Sequence, residues 1–396
     1  MTDQNLLPVP VVLLASTEAG ERDAAVLQAL LELPGLVVLT HDMTEDADGD
    51  LRVRRTIADA GGTRSDVTVD LDHPCLGCLA REDLVPALAE LHDDALAVLV
   101  VLPLGADLQP AARTIEQHLH AELAGYRPAG VVMVARDEAV VAGLAGGDED
   151  LLLHLVSADV LVLSDGGQEP VRQATLDLVE ALRGPGSAVV PDLGGAWLEA
   201  ALTRSLDAEA LAHRSDPATA GTHHDLDPAA RTGKQVNVHT PHMRFATATM
   251  DVTRSGVWRL VLATDRPLHP GRLLRSARAL APEHTVSRGR FVVANRPDSP
   301  CGWQGVGGTL RIGPANGHAG VAAGGAAGVG AVGEDDVGTR IVVVGRGGNP
   351  VNAVAAFERM IVTEEEHLPP AGWADAPDPL TPFLGPVGAR GAGEAA

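Results

Sequence analysis

Short apolar runs alternate with amphipathic stretches along the first half of the chain. Val11–Leu14, Leu36–Leu39, Val67–Leu71, Ala97–Leu102, Gly130–Val134, Val160–Leu163 and Ala188–Val190 have the length and Val/Leu content of strands. Several of them lack any polar alternation, so both of their faces must be covered. Between them, Ala24 to Leu33, Arg81 to Leu91, Pro110 to Leu123 and Val171 to Leu182 repeat apolar residues at helical spacing. Strands alternating with helices in this way predict an α/β domain over residues 1–206, a mainly parallel sheet wound on both sides, of the type that binds nucleotides.

The periodicity fails from 207 to 240, where Asp, Ala, Thr, Pro and His dominate, and a linker is expected there. A second, smaller α+β domain follows over 241–366. Its strands are predicted at Thr247–Thr253, Val257–Ala263, Val286–Ala294, Gly307–Ile312 and Arg340–Val344, and its helices at His269–Ala281, opened by Pro270, and Val351–Ile361. The Gly/Ala-rich stretch 313–338 has too few large side chains to pack and reads as a flexible loop. The Pro-, Gly- and Ala-rich tail 367–396 is expected to be disordered, with Trp373 and Phe383 able to tether it.

In a parallel nucleotide-binding sheet the connection after the first strand cradles phosphate with backbone N–H groups at a helix N-terminus. Its working form, Gly-x-x-x-x-Gly-Lys-Ser/Thr, supplies glycines for close approach, a lysine for the phosphates and a hydroxyl for Mg²⁺. Here the equivalent positions are Ser16, Glu21, Arg22 and Asp23, with Gly20 the lone glycine between them. Gly20 and Arg22 are the remnants that could still contact phosphate, but two carboxylates would face the same anion. The sole lysine of the chain, Lys234, sits in Gly233-Lys234-Gln235, with Pro228 where the loop's first glycine belongs. GTP and Mg²⁺ are therefore not expected as cofactors, and no catalytic residue is assigned.

Composition narrows the partners. Against 30 basic residues stand 53 acidic ones, a formal net charge of −23, which opposes direct binding to nucleic acid and favours a basic protein or a cation. Three cysteines make no disulfide framework, the N-terminus has no signal-peptide pattern, and no apolar run is long enough to span a bilayer. A cytoplasmic protein with no membrane role is the expectation. Aromatic residues are only 2% of the chain, so the cores must be built from Leu, Val and Ala.

The stretch His73-Pro74-Cys75-Leu76-Gly77-Cys78 places two thiols at C-x-x-C spacing between a strand and a helix. Cys75 and Cys78 can share one Zn²⁺, with His73 and Asp72 as further ligands; a redox pair and two merely packed thiols are the rivals. A structural zinc site wants four protein ligands, and the chain has no second C-x-x-C. His213, His223, His224, His239 and His242 gather near the linker, where they could capture metal loosely or cluster by chance. His118 and His120, two apart on a helix, point to different faces and take no ligand role. Cys301 reads as a small buried residue, and no triad of nucleophile, base and acid is apparent.

The order of these features resembles the CobW family, P-loop GTPases associated with metal delivery, zinc above all. Pro74-Cys75-Leu76-Gly77-Cys78 ahead of Arg81-Glu82-Asp83-Leu84 is similar to that family's Gly-Cys-x-Cys-Cys motif and the run that follows it, with two of three thiols kept. Arg266-Pro267-Leu268-His269-Pro270-Gly271-Arg272-Leu273, Ser287-Arg288-Gly289-Arg290-Phe291, Ala294-Asn295-Arg296-Pro297-Asp298 and Gly307-Gly308 look like its C-terminal domain, and most like the MRF-type branch named for recruiting a ribosome hibernation factor. The Mg²⁺-side motif is replaced by Leu102-Pro103-Leu104-Gly105-Ala106-Asp107, and the guanine-reading motif by Ser164-Asp165-Gly166-Gly167. The resemblance thus implies a P-loop-NTPase-like domain followed by a CobW C-terminal-type domain. With the phosphate, metal and base contacts all altered, it implies a protein that has lost GTP hydrolysis and works as an adaptor in zinc limitation. Its partner would be a basic ribosomal protein or a hibernation factor; the alternative is a zinc metallochaperone acting through Cys75 and Cys78.

Overall fold

Strand β1 (Val9–Ser16) is the axis of the first unit, buried from Val11 to Ser16. Because successive strand side chains point to opposite faces, β1 feeds two cores. Val11, Leu13 and Ala15 join one core, while Val12 and Leu14 join another on the far side. This computed structural model describes residues 8–45, 51–71, 73, 75–91, 95–123, 125–164, 168–220, 236–238, 245–315, 338–367, 371–374 and 378–386. The chain divides into one unit of residues 1–141 and 150–212 and another of 142–149 and 213–396.

The sheet of the first unit contains β2 (Leu36–Glu45), β3 (Leu51–Asp59), β4 (Gly62–Val69), β5 (Ala97–Val101), β6 (Tyr126–Arg136), β7 (Val160–Ser164) and β8 (Ala188–Val190), in the order β4-β3-β2-β5-β1-β6-β7-β8. From β2 to β8 in that order every pairing is parallel, and β3 and β4 add an antiparallel edge. On the first face of β1 lie α3 (Val85–Leu91) and α4 (Leu108–Glu122). On the second lie α1 (Ala19–Glu32) and α8 (Trp197–Leu202), with Trp197 fully buried. The predicted α/β first domain, a mainly parallel sheet wound by helices on both sides, is therefore present, and its strand β5, parallel beside β1, follows a crossover as such sheets require.

Three local differences from the sequence expectation matter. The run at Val67–Leu71 is the second arm of a β3–β4 hairpin and ends at Val69. The helix expected at Arg81 begins earlier, as α2 (Leu76–Leu79) running into a π-helical turn (Ala80–Leu84) before α3. The first part of the expected linker is helical: α9 (Ala208–Ser215) packs Leu211 into the first core, and Pro217–Thr219 forms a 3₁₀ turn capped by Asp216. Residues 221–235 and 239–244, with His223, His224, His239 and His242, lie outside the described residues.

In the second unit a seven-stranded antiparallel sheet runs β14-β13-β12-β15-β11-β10-β9, built from β9 (Val236–Asn237), β10 (Thr247–Val252), β11 (Val257–Thr264), β12 (Thr285–Val293), β13 (Arg296–Val306), β14 (Thr309–Pro314) and β15 (Thr339–Arg346). Phe291, Trp303 and Val343 pack against helix α11 (Val351–Met360) and its Phe357, all fully buried. Each such side chain contributes roughly 1.5–3 kcal/mol by leaving water. Gly289 must be glycine, since a Cβ there would lie 2.1 Å from the carbonyl oxygen of Arg340 on β15. Of the predicted 313–338 loop, 316–337 lie outside the described residues, while β14 extends through Pro314.

The tail expected to be disordered is tied down where it is described. Arg296 holds the Asp378 carboxylate through Nε at 2.8 Å and donates to the Gly385 carbonyl at 2.6 Å, and Leu380 is fully buried. Trp373 donates from Nε1 to the Glu366 carbonyl at 2.9 Å. Glu366 itself forms a two-pronged pair with Arg272 at 2.6 and 2.7 Å, which pulls its carboxyl down to about 2. Specific polar anchors replace the large apolar face that composition alone would look for.

Candidate functional site

Two strand-to-helix corners of the first unit carry the residues singled out in the sequence. The first is the β1–α1 connection. Helix α1 starts at Ala19, so only Thr17 and Glu18 separate it from the end of β1. Ser16 Oγ donates to the Glu18 carbonyl at 3.0 Å and accepts the Glu18 N–H at 3.1 Å, and the Arg22 N–H bonds back to the Glu18 carbonyl at 3.1 Å. Gly20, Glu21, Arg22 and Asp23 consequently belong to the helix's first turns and form no loop. Gly20 makes no close approach: a Cβ there would meet nothing within 4 Å.

Arg22 is buried and turned toward carboxylates. Its Nη1 lies 2.5 Å from Asp42 Oδ1 on β2 and its Nε lies 3.2 Å from Asp23 Oδ1. Across the same corner Glu18 pairs with Arg136, at the end of β6, at 2.5 Å, and that carboxylate raises the arginine's pKa. The stretch that replaces the Mg²⁺-side motif is also committed. The Gly105 N–H donates to the Ser16 carbonyl at 3.2 Å, and Asp107 caps α4 by accepting the Gln109 N–H at 3.0 Å. Ser164 ends β7 buried, and Asp165, Gly166 and Gly167 lie outside the described residues.

The second corner joins β4 to α2. Cys75 has extended backbone and caps the helix, its Sγ accepting the Cys78 N–H at 3.4 Å. That hydrogen bond lowers the Cys75 thiol pKa, whereas the hydrogen bond from Cys75 and then partial burial raise that of Cys78. Cys75 is exposed and Cys78 half-buried, both are free thiols, and Arg81 Nη2 stands 4.0 Å from Cys78 Sγ. The structure thus brings the two predicted thiols together. It does not gather a full ligand set: His73 is exposed and meets Cys75 only through its carbonyl, 2.8 Å from the Cys75 N–H, and Asp72 lies outside the described residues. Among the described residues no group of three or more His, Cys, Asp and Glu side chains could hold a metal ion.

Beneath the thiols is a network that sequence reading missed. The π-helical turn rotates Asp83 inward, where Oδ2 is 2.8 Å from His41 Nε2 and Oδ1 is 2.7 Å from Arg55 Nη1. A carboxylate only accepts, so His41 carries its proton on Nε2. His41 is fully buried on β2, next to the Asp42 that holds Arg22, and Arg55 is on the neighbouring β3. This pinning holds the π-helical turn that follows the short helix carrying Cys78. The readable signal was a His-Asp pair at the polar end of an apolar strand; its partner, 42 residues away in sequence, was not readable.

Cys301, in the second unit, is buried on β13, and burial pushes its thiol up to about 11. It behaves as the small core residue the sequence suggested. Among the described residues no helix is long and apolar enough to cross a membrane.

The chain is 26% identical to the zinc chaperone Rv0106 of Mycobacterium tuberculosis, over 94% of this chain and 92% of that one, and equally to the uncharacterised protein Mb0109 of Mycobacterium bovis. A crystal structure of the Zn(II)-bound YjiA GTPase from E. coli aligns over 90% of this chain and 99% of that chain, with 12% identity and a TM-score of 0.33. Residues 257–361 match the model of the cobalamin synthesis protein cobW C-terminal domain. They span β11 through α11, the stretch that holds the arginines of the motifs quoted above, and over this stretch the second unit is similar to the CobW C-terminal domain.

Proposed function

We propose that this chain is a CobW-type zinc-handling protein that carries Zn²⁺ as cargo on Cys75 and Cys78 and has given up the GTP cycle. The observation that supports it most is the contrast in availability. Arg22, the one cation at the phosphate corner's lysine position, is buried against Asp42 and Asp23, while Cys75 and Cys78 face each other with sulfur still accessible. Phosphoryl transfer works by positioning and neutralising charge, and a cation already neutralised cannot serve it. Two thiolates leave tetrahedral Zn²⁺ with open positions, which suits a metal that must be handed on. His73, two residues before Cys75 in the sequence, is the third ligand this reading proposes. The full-length relative named a zinc chaperone supports the same reading.

Zinc titration against a chromophoric chelator tests it. One equivalent should bind at neutral pH, and Cys78→Ser should weaken binding by more than about 100-fold, beyond what outer-shell changes cost. No site tighter than micromolar would remove the reading. Calorimetry with GTP·Mg²⁺ should give no binding heat, and turnover lost on Arg22→Ala would show that the GTP cycle survives.

The adaptor reading, with a basic ribosomal protein or a hibernation factor as partner in zinc limitation, is favoured separately by the net charge of −23. A pull-down at physiological salt should return such a partner in its support; recovery of neither ribosomes nor a hibernation factor counts against it.

A further inference from the structure

We infer that Cys75 and Cys78 are also a dithiol–disulfide couple, with Cys75 the attacking and Cys78 the resolving thiol, so that oxidation and zinc loading exclude each other at one site. The second half of this statement rests on the zinc reading above; the first does not. The Cys75 side chain folds back over the helix start, and its Sγ takes the Cys78 N–H at 3.4 Å. That brings Cys75 Sγ onto the Cys78 backbone across one turn of the chain. A disulfide needs the Cα atoms within about 7 Å and the Cβ vectors convergent, which an i, i+3 pair on such a turn provides. Among the described residues no third metal ligand joins them, so nothing in the fold commits the pair to metal alone. The remaining cysteine, Cys301, is buried in the other unit and cannot compete.

Exposure sets the order of attack. Cys75 is open to solvent and Cys78 is half-buried behind it. With a small-molecule disulfide as oxidant, the Cys75 thiolate attacks one of its sulfurs, forming a mixed disulfide and releasing one small thiolate. Cys78 then gives its proton to solvent, and its thiolate attacks Cys75 Sγ, releasing the second. Two protein thiols have lost two electrons and the oxidant has become two thiols. Both sulfurs are then in a bond to each other, and neither is a thiolate that can hold Zn²⁺.

The test uses the full chain, zinc-free, in buffers of graded oxidised-to-reduced small-thiol ratio, quenched in denaturant with an alkylating agent and weighed by mass spectrometry. Alkylated thiols should fall from three to one as the buffer becomes oxidising, with Cys301 the one remaining. Cys78→Ser should stop at the mixed disulfide on Cys75, and Cys75→Ser should form none at comparable speed. Three alkylated thiols throughout, a bridge to Cys301 or to a second chain, or a mixed disulfide trapped on Cys78 instead would overturn the inference. Zinc titration of the same samples separates the two claims. Zinc bound by reduced protein that never forms the disulfide sinks this inference and leaves the zinc reading standing. A reversible disulfide in protein that never binds zinc supports the couple and sinks the zinc reading.

Discussion

The two corners of the first unit are built alike and have met opposite fates. Each is a strand, a connection and a helical stretch that sends one side chain to β2, Arg22 to Asp42 and Asp83 to His41. At β1–α1 the polar side chains are matched to one another, Arg22 to Asp42 and Asp23, Glu18 to Arg136, and the connection has shrunk to two residues. At β4–α2 the matching happens one layer down, where Asp83 engages His41 and Arg55, and the thiols above it are left over. The lesson is that chemical capacity follows the groups a fold does not use to satisfy itself. A buried cation held by two carboxylates is structure, whatever its position in a motif.

The largest effect that would sharpen this contrast is expected at Asp83. Its carboxylate is the shared partner of a fully buried histidine and a largely buried arginine. Asp83→Ala leaves both without it in a region closed to water, and breaking such a pair costs about 3–5 kcal/mol. Chemical denaturation should show the midpoint fall at unchanged slope. Asp83→Asn, which keeps the shape and an acceptor, should recover part of the loss. A fall below about 1 kcal/mol for Asp83→Ala would mean that the layer under the thiols does not hold them in place.

A smaller effect is expected at Asp42, because its side chain is 36% exposed and Arg22 keeps Asp23. Asp42→Ala should cost about 1–2 kcal/mol, below the cost of breaking a fully buried pair. The informative measurement is calorimetry with GTP·Mg²⁺ on the same variant. It frees half of the Arg22 guanidinium yet leaves the first helical turn where a phosphate loop would be, so no binding should appear. Binding gained by Asp42→Ala would mean that charge pairing, rather than the lost loop, silences the corner.

How much of this was legible depends on whether the signal was local. The central strands were readable because a strand buried on both faces has no polar alternation, as in β1 from Val11 to Ala15 and in β5. The β3–β4 hairpin was not, since β4 is a solvated edge strand whose side chains are mostly exposed. Strand β13 hid behind Pro297, Pro300, Gly302 and Gly305, residues that normally punctuate strands and here occupy one of the longest. The thiol pair was visible as spacing; its support was not, because His41, Arg55 and Asp83 meet only through the tertiary fold. The second-unit motifs also change meaning. Arg272 binds Glu366, Arg296 binds Asp378, and fully buried Arg288 donates to the carbonyls of Arg214 and Ser215, its pKa drawn down to about 10 by burial. These arginines are used in folding, so their likeness to a family supports an architecture and says little about a partner.

The smallest effect belongs to Cys75, and its smallness is the point. Serine is itself a good helix cap, and its Oγ can take the Cys78 N–H that Sγ accepts at 3.4 Å. Cys75 is exposed, so no core contact is lost, and Cys75→Ser should leave the melting temperature within about 2 °C of the parent, the usual range for a surface change. Zinc binding, which needs the soft thiolate, should be lost in the same protein. Function and stability would then separate cleanly at this corner, as they cannot at Arg22, where removing the side chain also strands Asp42 and Asp23. A melting temperature lowered by many degrees in Cys75→Ser would place the thiols among the structural residues and erase the difference between the two corners.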